Sequence, residues 1–283
     1  MKTILVPVDY SETAKNAVYY ALSFAKQSGA DKIILYNAFQ PPVPADPVGI
    51  TTDGNFNTIG LYDIEGLSES NKVHLDRLKK EINESYNGNI AVETFSEYNT
   101  LKEGIAEICR SQDIAMIIMG ISESDKLTET LVGSNSLDVA KHTTTPVIIV
   151  PHSAAYKPIQ QVLFTCDYKN VTKTVPLTLL KNILTVTGAH LHVLHIDADA
   201  ETQEHLQQAT ILKNLLQGVP ADYHTLQHTD FKEAVNQFAA QHNIDLIVAI
   251  PKKHSFFDGL FHHSRTKSLA FHSHIPLLLM HED

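Results

Sequence analysis

The chain has 283 residues, of which 43% are hydrophobic and 19% charged, a composition typical of globular proteins and unlike that of disordered ones. Its formal net charge of −10 argues against a general role in binding nucleic acid or anionic membranes. No apolar run is long enough to span a bilayer, the first residues do not resemble a leader peptide, and Cys109 and Cys166 provide no disulfide framework, so we expect a cytoplasmic protein.

Four apolar runs occur twice along the chain in the same order. In each copy an aspartate closes the first run, a Gly-Ala pair precedes the second, an aspartate opens the third and a proline opens the fourth. The runs lie at 2–9, 29–36, 113–119 and 146–150, and again at 160–167, 188–195, 245–250 and 276–280. Because the order is preserved, the sequence predicts two copies of one structural unit.

Helical periodicity fills the intervals between these runs, with Ser11 as a candidate N-cap of the first helix and Gly29 as its end. The predicted helices cover 11–28, 64–86, 100–111 and 134–142 in the first copy, and 171–187, 200–217, 230–242 and 264–272 in the second. Residues 40–63 contain four prolines and three glycines and predict a long loop in the first copy only.

Strands made almost entirely of Val, Ile and Leu, alternating with helices, predict an α/β fold with doubly wound parallel sheets. We interpret the chain as two tandem five-stranded domains, at residues 1–152 and 158–283. The two parts differ in surface chemistry: the net charge is −8 over residues 1–152 and −2 over 153–283, and 13 of the 16 histidines lie in the latter.

A ligand site is expected beyond the carboxyl ends of the strands, where the strand order of an open parallel sheet reverses. The first strand ends at Pro7-Val8-Asp9, the fourth ends at Met119-Gly120, and Gly133-Ser134-Asn135-Ser136 opens the next helix. Glycine allows a ligand to approach the backbone, and the free N–H groups of a helix start favour an anion. The pattern is compatible with phosphate binding, but Gly-Ser before a helix is also a common cap, and the pattern alone favours the cap.

These features resemble the universal stress protein family, and two copies in one chain resemble its tandem members. The residues that carry the resemblance are Ile4–Ser11, Met119-Gly120, Gly133-Ser134 and Thr145–Val150. In nucleotide-binding members, a Gly, two residues, a second Gly, nine residues and Gly-Ser or Gly-Thr hold the phosphates. The ends of the first two strands contact the adenosine.

The resemblance implies an adenine nucleotide site, for ATP or AMP with Mg²⁺, in the first domain. Carried over position by position, the implied contacts are Pro7, Val8, Asp9, Asn37, Met119, Gly120, Gly133, Ser134, Asn135 and Ser136. It also implies that the last strands, Val147–Val150 and Pro276–Met280, meet as the seam of an internal pseudo-dimer.

The motif departs from the family pattern at Glu123, which stands where the second glycine is expected. A carboxylate near phosphates costs on the order of 1 kcal/mol or more in a partly buried site, a penalty that is larger for ATP than for AMP. The second copy departs further, because Ile250 and Lys253 replace both loop glycines and His263 precedes Ser264. We therefore expect the second site to be degenerate.

The histidines suggest a metal site, but their spacing does not match a zinc motif and no cysteine pair accompanies them. His190 and His192 share one face of a predicted strand, and His195 lies on the other. We interpret them as hydrogen-bonded or solvent-facing side chains. Asp9 and Asp167 are interpreted as strand-end caps or ribose contacts, and no catalytic residue is expected.

The predicted function is that of a stress-associated sensor with one adenine nucleotide site. The alternative is an adaptor in which both sites are degenerate and the long loop, or the basic and aromatic residues 252–257, binds an unidentified protein partner or a small ligand. A weak ATP hydrolase that uses Asp9 is a third hypothesis. Further dimerisation of the whole chain is left open.

Overall fold

The computed structural model describes residues 2–40, 63–86, 88–121, 134–197, 202–251 and 274–281. Four sequence predictions lie wholly or almost wholly outside these residues: the loop over 40–63, the positions of Glu123 and Gly133, the 252–257 segment and the helix over 264–272. Among the described residues, no helix is both long enough and apolar enough to cross a membrane.

Nine elements form the first half of the chain and nine form the second. The first half contains β1 (Thr3–Pro7), α1 (Glu12–Ser28), β2 (Lys32–Phe39), α2 (Ile64–Ser85), β3 (Ala91–Tyr98), α3 (Leu101–Ser111), β4 (Ile114–Ile121), α4 (Ser134–His142) and β5 (Val147–Pro151). The second contains β6 (Gln161–Thr165), α5 (Val171–Thr174), α6 (Leu177–Thr187), β7 (His190–Asp197), α7 (Gln203–Leu215), β8 (Ala221–Gln227), α8 (Phe231–Gln241), β9 (Leu246–Ala249) and β10 (Leu277–Leu279). These counts refer to the described ranges.

The strands form one ten-stranded sheet in the order β3-β2-β1-β4-β5-β10-β9-β6-β7-β8. Neighbouring strands are parallel within each half, whereas β5 and β10 pair antiparallel, with Leu278 opposite Ile148. The predicted doubly wound parallel fold and the pairing of the two last strands are therefore confirmed. In each half the strand order reverses at the first strand, β1 or β6. The second strand of the half (β2 or β7) lies on one side of it, and the fourth (β4 or β9) lies on the other.

Helices cover both faces of this sheet. One apolar core lies under α1, α2, α6 and α7, and the other lies under α3, α4 and α8. Each core includes buried residues from both halves, such as Ile148 and Leu278 on one face and Ile149 and Leu277 on the other. In a strand covered on both faces, successive side chains are buried alternately in the two cores. Such a strand therefore needs a near-continuous apolar run.

The predicted helices agree with the structure to within one residue at each end of α1, α2, α3, α4 and α8. Ser11 caps α1 by accepting a hydrogen bond from the Ala14 N–H at 3.1 Å, and Gly29 ends it with a φ of 69°. The helix predicted over 171–187 is wrong in one respect, because it is divided into α5 and α6. Pro176 lies at the division, where it has no N–H to continue the helical hydrogen bonds.

The segment that connects the halves is held by side chains of α1. The Asn16 amide lies 3.0–3.3 Å from the carbonyl oxygens of Pro151, His152 and Ala154. The Gln27 amide nitrogen donates to the carbonyls of Ile159 and Thr187, its oxygen accepts from the Ile159 N–H, and the Tyr156 hydroxyl donates to the same oxygen. These bonds fix the second half against the first helix.

Candidate functional site

The carboxyl ends of β1 and β2 are joined by backbone and side-chain hydrogen bonds. The Val8 N–H donates to the Tyr36 carbonyl at 2.7 Å, and the Asn37 amide nitrogen donates to the Val8 carbonyl at 2.8 Å. Asn37 is buried, and its amide oxygen accepts from the Ser96 hydroxyl at 3.4 Å. Asn37 thus fixes the first strand end and lies at the predicted adenine position.

Asp9 is exposed where the chain leaves β1. One of its carboxylate oxygens accepts from the N–H and the hydroxyl of Ser11, at 3.0 and 2.6 Å. Within the described part of the chain, no hydrogen bond is seen to the other oxygen, so that oxygen is placed to accept from a ribose hydroxyl or to approach a cation. Tyr10 follows with a φ of 65°, a left-handed conformation that turns the chain sharply into α1.

The fourth strand is joined to the helix that follows it. The buried Ser136 hydroxyl donates to the Gly120 carbonyl at 2.8 Å, which holds the start of α4 beside the end of β4. A Cβ atom on Gly120 would lie 2.5 Å from the Thr13 carbonyl oxygen, so the glycine is required by the close passage of α1. The structure thus gives Gly120 a packing role, in addition to the ligand approach inferred from the sequence.

The predicted contacts divide by exposure. Pro7, Val8 and Met119 are buried and can reach a ligand only through their backbone groups, whereas Asp9 and Asn135 are exposed. The Ser136 hydroxyl already donates its hydrogen to Gly120, and we therefore assign it to positioning the helix. The backbone of Ser134 opens α4, while Gly133 lies outside the described residues.

The second half repeats the first part of this arrangement with different side chains. Thr3 pairs with Lys32 and Gln161 pairs with His190, so the strand register aligns His195 with Asn37. The His195 Nδ1–H donates to the Cys166 carbonyl at 2.9 Å, as the Asn37 amide does to Val8. Aligning the Gly-Ala pairs of the two copies instead matches His195 with Tyr36, one residue before Asn37. The difference arises because the turn before β7 is one residue shorter than the turn before β2.

Asp167 repeats the backbone contact of Asp9, because it accepts from the Lys169 N–H two residues on, at 3.2 Å. It does not cap the next helix, whose N-cap residue is Asn170. The histidines of the second half differ more from the first. Among the described residues, the buried Nε2 atom of His195 and Nδ1 atom of His205 have no hydrogen-bond partner, and each lies 3.9 Å from the same Asp197 carboxylate oxygen.

Sequence spacing did not reveal that distant histidines converge. His192, His224 and His242 lie on two strands and at a helix end, 18 to 50 residues apart, yet their rings are in contact. The predicted shared face of His190 and His192 is observed, with ring centroids 5.0 Å apart. Only the strand order brings the other two histidines to that face.

The family model described as the universal stress protein family matches residues 1–151 and 175–281. The chain belongs to the universal stress protein family. Because the two matched segments coincide with the two halves of the sheet, this universal stress protein is a tandem member. Its fold and its family are therefore those expected from the motifs.

Two relatives and one solved structure illustrate the match. Universal stress protein MJ0577 of Methanocaldococcus jannaschii is 25% identical over 155 residues, which cover 53% of this chain and 94% of that protein. Universal stress protein MJ0531 of the same organism is 26% identical over 149 residues, 53% of this chain and 81% of that protein. The crystal structure of a universal stress protein from Archaeoglobus fulgidus shares 18% identity and a TM-score of 0.73, covering 99% and 98% of the two chains, and shows the common fold.

Proposed function

We propose that this universal stress protein is a stress-associated sensor that binds one adenine nucleotide at the carboxyl edge of its first half. The observation that carries the proposal is the hydrogen bond from Ser136 to Gly120, which holds the start of α4 beside the reversal point of the strand order. A helix start offers free N–H groups to an anion, and ligands of open α/β sheets bind at such reversal points.

The neighbouring groups support an adenosine compound. The backbone at Val8 and the Asn37 amide border the same edge, and the outer Asp9 oxygen is an acceptor for a ribose hydroxyl. We assign the phosphates to the start of α4, with Mg²⁺ offsetting the negative charge of Asp9 and the loop carboxylates. The family motif names Gly133 and Ser134 as the corresponding loop residues.

The second half does not favour the same ligand. Ile250, partly buried against the core, occupies the position equivalent to Gly120, and His195 replaces Asn37. An imidazole beside two other titratable groups, His205 and Asp197, is a different chemical environment from the first-half amide. We therefore propose one nucleotide per chain.

Thermal unfolding with Mg-ATP, ADP and AMP tests the proposal. A nucleotide present at 100 times its Kd adds about 2.7 kcal/mol to the folded state, and the midpoint rises by several degrees. Gly133→Val should abolish the rise, and Lys213→Ala, at an exposed position of α7 in the second half, should leave it unchanged. A rise with AMP alone would restrict the site to the adenosine moiety.

No rise with any nucleotide, in protein shown to carry none through purification, would contradict the sensor and leave the adaptor. Phosphate release from ATP that is lost in Asp9→Ala would support the hydrolase instead. The two readouts separate because binding without turnover raises the midpoint but releases no phosphate.

A further inference from the structure

A cluster of four histidines and an aspartate lies near the starts of β7 and β8, under the end of α8. His190 and His192 belong to β7, Asp222 and His224 belong to β8, and His242 caps α8. One nitrogen from each of His192, His224 and His242 lies within 4.8 Å of the other two. This edge of the sheet is opposite the carboxyl edge proposed for the nucleotide.

We propose that His192, His224 and His242 form a binding site for a divalent transition-metal ion of the zinc class. Three imidazoles suit Zn²⁺, Ni²⁺, Cu²⁺ or Co²⁺ better than Mg²⁺ or Ca²⁺, which prefer oxygen ligands. The site is independent of the proposed nucleotide site, because it uses different strands, a different helix and the other edge.

The spacing of two ring nitrogens fits a shared ion. The His192 Nδ1 and His224 Nε2 atoms are 3.3 Å apart. Two nitrogens bound to one tetrahedral zinc, each at about 2.0–2.1 Å, lie about 3.3–3.4 Å from each other. A bound ion would therefore take the place of the single proton that the two nitrogens share, with little movement of either ring.

Contacts outside the cluster set the protonation of two of the rings. The His242 Nδ1 lies 3.0 Å from the Phe238 carbonyl, which can only accept, so Nδ1 carries the hydrogen and Nε2 carries the lone pair. The His192 Nε2 lies 2.9 Å from the Gln161 side-chain oxygen, which leaves its Nδ1 lone pair facing His224. Such outer partners are a regular feature of metal-binding histidines.

Burial disfavours the charged form of two of the three rings. Burial, reinforced by the neighbouring His190, lowers the pKa of His192 to about 4. Burial also lowers the pKa of His224, and the neighbouring His242 lowers it further. Phe238 stacks on His242 with centroids 3.9 Å apart and fixes the plane of that ring.

The first half of the chain shows that the fold does not require these histidines. On β7 and its first-half equivalent β2, the register aligns His190 with Lys32 and His192 with Ile34. On β8 and β3 it aligns Asp222 with Glu93 and His224 with Phe95. The C-caps of α8 and α3 align His242 with Gln112. The Lys32–Glu93 ion pair at 3.3 Å corresponds to the His190–Asp222 contact at 2.9 Å. The three proposed ligands, however, replace an isoleucine, a phenylalanine and a glutamine, none of which is a usual zinc ligand.

The substitutions thus place a polar cluster in a region where the other half has apolar packing. His192 is only 7% exposed and occupies the position of the buried Ile34. A bound ion would connect the edge strand β8 to β7 and α8, where the corresponding edge of the first half uses an ion pair and apolar contacts. His190 and Asp222 lie beside the three ligands, and the carboxylate would offset part of the metal's charge.

The test is zinc binding by the full chain without an affinity tag. Calorimetric titration with ZnCl₂ should give one ion per chain, and saturating zinc should raise the unfolding midpoint by about 5 °C. The triple variant His192→Ile, His224→Phe, His242→Gln introduces the first-half residues and should lose both effects while keeping its circular dichroism spectrum. The single variant His242→Gln should bind zinc at least tenfold more weakly and serves if the triple variant does not fold.

His205→Gln is the matched control, because His205 belongs to the separate group with His195 and Asp197 at the other edge. It should retain the stoichiometric ion. The proposal is overturned if the unmodified chain binds no zinc stoichiometrically or only several weak ions. It is equally overturned if His242→Gln binds as tightly as the unmodified chain, or if His205→Gln loses the ion.

Discussion

Gly120 lies where the first turn of α1 crosses the end of β4, at the edge proposed for the nucleotide. Gly120→Ala should lower the free energy of unfolding by about 1–3 kcal/mol, because the new Cβ would lie 2.5 Å from a backbone oxygen of Thr13. Urea denaturation measures this change. Gly66→Ala is the control and should stay within about 1 kcal/mol. Its Cβ would displace the Asp63 carboxylate that caps α2, but the higher helix propensity of alanine offsets the lost cap. Equal effects would contradict the packing role of Gly120.

Ser136 is the other residue that shapes this edge. Ser136→Ala removes its hydrogen bond to the Gly120 carbonyl and should cost about 1 kcal/mol of stability, with a further loss of nucleotide affinity as α4 loosens. Nucleotide titration of this variant against Asn135→Ala, at an exposed neighbour, measures the loss. If Asn135→Ala weakened binding and Ser136→Ala did not, the direct phosphate contact would belong to Asn135 rather than to the helix backbone.

Single residues also show where sequence reasoning reached its limit. The Ser11 cap was recognisable because its hydrogen bond connects residues three positions apart. The Ser136–Gly120 bond and the histidine cluster depend on which strands become neighbours, and no local pattern encodes that. The position of His195 shifted by one residue because the register, rather than the Gly-Ala pair, determines its counterpart.

At the scale of elements, the buried strands were predictable and the edge strands were not. The runs containing β1, β2, β4 and β5 are apolar because both faces are covered, whereas β3 alternates buried and exposed residues and β8 has no fully buried residue. Five strands per copy were expected, but β3 and β8 could not be located from their polar sequences. The division between α5 and α6 at Pro176 was likewise missed, since the apolar periodicity continues across it.

Gln27 of α1 provides an element-scale prediction. Gln27→Ala removes three hydrogen bonds to the backbone of Ile159 and Thr187 and one from Tyr156. The groups left without partners are partly buried, so the free energy of unfolding should fall by about 2–4 kcal/mol. Lys26→Ala, at an exposed position of the same helix, is the control. Equal denaturation midpoints for the two variants would show that Gln27 does not join the halves.

At the scale of the whole molecule, the antiparallel pairing of β5 and β10 makes one sheet from two repeats. Apolar cores continue across this seam on both faces, and the segment between the halves is bonded to α1. We therefore expect a single cooperative unfolding transition, in which the calorimetric and van't Hoff enthalpies agree. Two resolved transitions would show that the halves unfold independently and that the seam contributes little.

The most direct test of the central claim is the stoichiometry of nucleotide binding. Calorimetric titration of the full chain with Mg-ATP, repeated with AMP, counts the sites without relying on a mutation. We predict one nucleotide per chain, because the first-half edge keeps Asn37, Gly120 and the fastened helix, whereas the second half carries His195 and Ile250. A stoichiometry of two would contradict the assignment of a degenerate second site, and no binding of either nucleotide would contradict the sensor itself.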